Sequence, residues 1–93
     1  MNCFDYVCEK LQIENEYSHI GKDKYKENII KAITEGKVKR LKEPKNGCFV
    51  LFPEGKHIGY FNEGLLFHLD EKDGELIEPY FLRKGLKFFS VWQ

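Results

Sequence analysis

The chain lacks a charge imbalance. Fifteen lysines and arginines meet fifteen aspartates and glutamates, which removes the global pull toward nucleic acid or an anionic surface that a basic domain exerts. No basic stripe interleaved with aromatics is present either, so nucleic acid is not an expected partner. Long apolar runs are missing. The longest, Cys48-Phe49-Val50-Leu51-Phe52, falls far short of the ~20 residues a bilayer-crossing helix needs, so no membrane span is expected. Met1-Asn2-Cys3-Phe4-Asp5 puts no basic region ahead of an apolar stretch; the expectation is no secretory signal and a cytoplasmic location. Cysteine is scarce, with Cys3, Cys8 and Cys48 the whole complement. An odd number without a compact framework suits thiols in a reducing compartment. Neither Cys-x-x-Cys nor His-x-x-x-His occurs, so no metal site and no cofactor is expected. With no internal repeat and no low-complexity segment, residues 1–93 read as one small domain, able to bury roughly 60–70% of its unfolded surface in a single modest core.

What is present falls into two halves. Phe4, Val7, Cys8 and Leu11 recur at i, i+3, i+4 and i+7, which predicts a helix over Asn2 to Leu11. Asn2 suits the N-cap, and Asp5 suits the positive end of the dipole. Cys3 then opens the helix, where unpaired N–H groups stabilise a thiolate, while Cys8 lies on the apolar stripe as a small buried hydrophobe. Gln12 to Asp23, which includes His19, is polar and reads as loop. Tyr25, Ile29, Ile30 and Ile33 predict a second helix over Lys24 to Glu35, packed on the core by that stripe and stopped at Gly36. Lys37, Lys39, Arg40, Lys42 and Lys45 against Glu43 form a basic stretch, read first as a solvated loop and second as a contact surface for an anionic partner.

The C-terminal half is rich in strand signals. Cys48 to Phe52 is bounded by Asn46-Gly47 and Pro53-Glu54-Gly55. His57 to Phe61 and Leu65 to Leu69 read as a hairpin about Asn62-Glu63-Gly64. Lys72-Asp73-Gly74 turns the chain into Glu75-Leu76-Ile77, a short helical turn fits Pro79 to Lys84, and Leu86 to Trp92 reads as a closing aromatic strand. Helices followed by an antiparallel sheet describe an α+β domain.

The hairpin carries the chemistry. Placing His57 opposite His68 sets Ile58 against Phe67 and Tyr60 against Leu65. The large apolar side chains then share one face; His57, Gly59, Leu66, His68 and Asp70 share the other. A one-residue slip would mix the faces and is disfavoured where one face is buried. Two imidazoles are thus expected side by side, with Gly59 leaving room for a close approach. A cysteine at a helix N-terminus, a histidine at a strand start and a polar group on the next strand are the parts a thiol nucleophile requires. The first is deprotonated by the second, which the third orients. Cys3, His57 and His68 fill these places. The same residues also fit plainer roles, as an exposed thiol and a polar pair beside the core.

Gly47-Cys48-Phe49-Val50-Leu51-Phe52, His57-Ile58-Gly59-Tyr60 and Gly64 to His68 resemble the C-terminal half of NlpC-type papain-like cysteine peptidases. There, Gly-Asp-Leu-Val-Phe-Phe leads to His-Val-Gly-Ile-Tyr, and an apolar strand ends in a second histidine. Asn2-Cys3-Phe4-Asp5-Tyr6-Val7 stands in the place of that family's Asp-Cys-Ser-Gly-Phe-Val, and Glu78-Pro79-Tyr80 and the final aromatic stretch are also similar. The resemblance extends over nearly the whole chain and takes in the small versions encoded by bacteriophages. It implies a minimal papain-like domain, with Cys3 as nucleophile, His57 as general base and acid, and His68 as orienting group. It also implies peptide-bond hydrolysis in peptidoglycan stem peptides. The sequence departs from the pattern at Asn2, Phe4, Asp5 and Cys48. The alternative expectation is a catalytically degenerate scaffold that binds a protein partner, for example a phage protein acting on a host target.

Overall fold

The structure, a computed structural model, describes residues 3–14, 25–53, 57–70 and 72–91. The expectations for Asn2, His19, Lys24, Glu54-Gly55 and Trp92 lie outside the described residues, as does the side chain of Tyr25. The fold is α+β. Among the described residues two helices, α1 (Cys3–Lys10) and α2 (Tyr25–Thr34), precede six strands: β1 (Arg40–Leu41), β2 (Cys48–Leu51), β3 (Ile58–Asn62), β4 (Leu65–Asp70), β5 (Gly74–Pro79) and β6 (Lys87–Phe89). A 3-10 turn, Tyr80–Leu82, lies between the last two strands. The strands form one antiparallel sheet in the order β1-β6-β2-β3-β4-β5. Among the described residues no helix is long and apolar enough to cross a membrane.

The centre of the sheet is buried on both faces, and this explains the unbroken apolar run in β2. Strict alternation marks a strand with one wet face, whereas a strand covered on both sides is apolar throughout. All four β2 residues are buried. On one face Phe49, Leu51, Ile58 and Phe89 pack with Cys3, Phe4, Tyr6, Val7 and Cys8 of α1 and with Ile29 and Ala32 of α2. On the other, Cys48, Val50, Phe52, Phe61 and Leu66 form a second cluster, closed by Leu41, Tyr80, Leu86 and Phe88.

Each helix is followed by a residue with positive φ. Gln12 takes a left-handed φ of 58° after α1. Gly36, at φ 76°, lets the Lys37 N–H reach back to the Ala32 carbonyl at 2.8 Å. That is the Schellman closure a glycine permits. The α2 stripe differs from expectation: Ile29 and Ala32 face the core, whereas Ile30 and Ile33 are 52% and 42% exposed. The basic stretch also holds more order than a loop, since Arg40–Leu41 pairs with β6 as an edge strand.

The hairpin register is corrected by two residues. Gly59, not His57, lies opposite His68, and Tyr60 lies opposite Phe67. The connection is the two-residue turn Glu63-Gly64, with φ of 50° and 80°, rather than a three-residue turn. Positive φ at both positions gives the turn whose twist matches that of paired strands. Asn46 anchors it, accepting from the Glu63 N–H at 2.8 Å and donating to the Glu63 carboxylate at 3.0 Å. A shift of two residues preserves the faces, so the apolar set still points to α1 and the two histidines still point the other way.

Candidate active site

His57 sits one residue before β3 and His68 in the middle of β4. In the observed register they are diagonal neighbours across the hairpin, with Gly59 facing His68 between them. A Cβ on Gly59 would stand 2.7 Å from the Phe67 carbonyl oxygen, 3.0 Å from His68 Cβ and 3.5 Å from the Phe52 ring. The missing side chain therefore lets the neighbouring strand and Phe52 close in, and the two imidazoles meet over the space. His57 Nε2 lies 2.8 Å from His68 Nδ1, a hydrogen-bond distance in which one nitrogen must carry the proton. The rings stand nearly perpendicular at 81°, and Phe52 packs against both, at centroid distances of 4.7 and 5.0 Å.

Burial keeps the pair uncharged. Desolvation, with the neighbouring His68 ring second, pushes the pKa of His57 down to about 4. Desolvation also lowers His68, against the pull of the Glu78 carboxylate. Near neutrality both rings are free bases, the state a proton acceptor requires.

Glu78 is a neighbour of the histidine pair that the sequence pattern does not single out. It lies opposite Leu66 on β5 and so shares the face of His68. Its carboxylate Oε1 is 3.7 Å from His68 Nε2, an atom buried without a hydrogen-bond partner among the described residues. Arg83 donates to both carboxylate oxygens, through Nε to Oε1 and through Nη2 to Oε2 at 3.3 Å, and stands 5.2 Å from the Phe52 ring centroid. This Arg83 contact is the main cause holding the Glu78 pKa below the ordinary carboxylate value. Asp70, the acid that the sequence places on the histidine face, is committed to the β4–β5 turn. Its Oδ2 accepts the backbone N–H groups of Lys72 and Asp73 at 3.0 and 2.9 Å.

The structure thus brings together two of the three residues singled out in the sequence. Cys3 opens α1, is 7% exposed, and belongs to the cluster on the helix face. His57 and His68 line the other face beside Phe52, a member of the second cluster. None of the three cysteines is in a disulfide. Cys8 and Cys48 are buried thiols whose pKa values desolvation raises, that of Cys8 to about 12. Among the described residues no set of three His, Cys, Asp or Glu side chains converges as a metal site. A groove of about 500 Å³ lined by Gly36, Lys37, Lys39, Ser90 and Val91 shares no residue with the histidine site. No protein-family model matches the chain, and neither curated proteins nor solved structures give a match.

Proposed function

We propose that the chain is a thiol-dependent amide hydrolase of the papain-like NlpC type. Cys3 is its nucleophile, His57 its general base and acid, and His68 the group that orients His57; the amides of peptidoglycan stem peptides are its substrate class. The observation that supports this most is the 2.8 Å contact between His57 Nε2 and His68 Nδ1. The imidazole of His68 is buried and that of His57 half-buried, costly filling for a core unless their hydrogen bonding is used. Here the bond fixes one nitrogen of His57 and leaves the other for a proton.

The chemistry runs in two stages. The thiol proton passes to His57 as sulfur attacks the carbonyl carbon, and the resulting imidazolium returns that proton to the leaving amine as the C–N bond breaks. Water, giving a proton to His57, then cleaves the thioester and restores the thiol. The N–H groups of the first turn of α1 face the developing oxyanion. Transfer requires the Cys3 sulfur within hydrogen-bonding reach of the His57 ring.

One observation favours a second reading. Cys3 packs with the helix-side cluster while the rings line the opposite face, and Ile77, Phe81 and Leu82 are 52%, 72% and 69% exposed. These features fit a scaffold that binds a protein partner without catalysis. Incubation with soluble murein fragments separates the two. The hydrolase reading expects peptide release by the wild type, and none by Cys3→Ala or His57→Ala. Equal silence of all three proteins would leave the binding scaffold.

A further inference from the structure

The His57–His68 contact leaves open which way its proton points, and the surroundings of His68 answer that. We infer that Glu78, clamped by Arg83, is a positioning residue that keeps the proton of His68 on Nε2 and so sets the donor order His57 to His68 to Glu78. In its catalytic consequence this rests on the hydrolase reading; in its structural content it does not.

The acceptors around His68 decide where its proton lies. A carboxylate accepts only, and Glu78 is held ionised by the paired Arg83 donors. Its Oε1 faces the buried His68 Nε2 at 3.7 Å. That is too long for a good hydrogen bond, but close enough for its charge to attract an N–H and repel a lone pair. With the proton on Nε2, His68 Nδ1 is a lone pair. The nitrogen 2.8 Å away, His57 Nε2, must then donate. His57 is left with its lone pair on Nδ1, and that atom becomes the base.

The reverse order, with both protons on Nδ1, would point the Nε2 lone pair of His68 at a carboxylate and remove the basic nitrogen from the outer side of His57. Asp70 and Arg83 also act on the pair, but each is held by other partners. The Asp70 carboxylate is taken up by the turn N–H groups of Lys72 and Asp73, and the Arg83 guanidinium is directed to Glu78. A pair of this kind is assigned a tautomer from its hydrogen-bond network, and here the network ends on a fixed acceptor.

Two-dimensional ¹H–¹⁵N NMR of the histidine rings at neutral pH, without substrate, tests this. The wild type is expected to show Nε2 protonated and Nδ1 unprotonated in both rings. Glu78→Leu is expected to raise the Nδ1-protonated share of His68 by about fivefold or more, the order of effect that removing one nearby charge from a buried N–H gives. His57 should follow in the same direction. His68 protonated mainly on Nδ1 in the wild type would overturn the assignment without any variant. Ring populations unchanged in a folded Glu78→Leu protein would overturn the role of Glu78. Since no turnover is measured, a wild type that fails to cleave murein fragments but shows these tautomers removes the hydrolase reading alone.

Discussion

Gly59 shows how closely the site is built at the level of single residues. Its Cβ position is closed by the Phe67 carbonyl, His68 Cβ and Phe52, so the cost of a side chain there is steric. Gly59→Ala should destabilise by about 1–3 kcal/mol, the range for overpacking a close-packed site, as a lower urea midpoint with unchanged slope. The need for a small residue between the two histidines was legible in the sequence. What fills the space, the next strand and a phenylalanine ring, was not, because it depends on register.

The His57 ring makes a second prediction at this scale. Its folded pKa of about 4 lies below the ordinary 6.5, so the unfolded chain binds its proton first on acidification. Stability is then full above pH ~6.5, falls by on the order of 1–3 kcal/mol as the pH drops to ~4, and levels below that. Glu78 and Asp70, both held below their ordinary values of 4.5 and 3.8, add losses only at the acid end. Thermal melts across pH 7 to 4.5 should show the slope in the wild type and a shallower one in His57→Gln, where the lowered pKa of His68 still contributes. An equal slope in both would contradict the burial argument.

Among the elements, the strands and helices with strong patterns were readable and their exact partners were not. The alternation in β3 and β4 fixes which face each side chain takes, but faces repeat every two residues, so a register displaced by two satisfies the same pattern. The Glu63-Gly64 turn decides between them. Glu78 was hidden for the same reason: its place beside His68 exists only once β5 is paired with β4. In α2, three isoleucines overshadow the small Ala32, which with Ile29 makes the buried edge. Ile29→Ala should cost about 2–5 kcal/mol, as buried aliphatic truncations do. Ile30→Ala should stay within about 0.5 kcal/mol, as surface substitutions do. Denaturant unfolding of the two variants compares them directly, and equal losses would show that the helix presents a different face.

For the whole molecule, the sheet is a wall with chemistry distributed about it. One face carries α1 and α2 on an apolar cluster that includes Cys3; the other carries the histidine pair, Glu78 and Arg83. Charge balance and the lack of long apolar runs were readable from composition, and the α+β order from the chain's two halves. The relation of the first helix to the hairpin was not, since no local pattern says which face of a sheet a helix covers when both faces are apolar. The hydrolase account requires that the sulfur opening α1 and the His57 base act as one unit. The most direct measurement is the pH dependence of Cys3 alkylation by iodoacetamide, followed by peptide mass spectrometry in the wild type and in His57→Ala. The account predicts a Cys3 that reacts well below the ordinary thiol pKa of ~8.5 and slows roughly tenfold or more at pH 7 in the variant. A Cys3 that titrates at or above that value, at the same rate with and without His57, would contradict it.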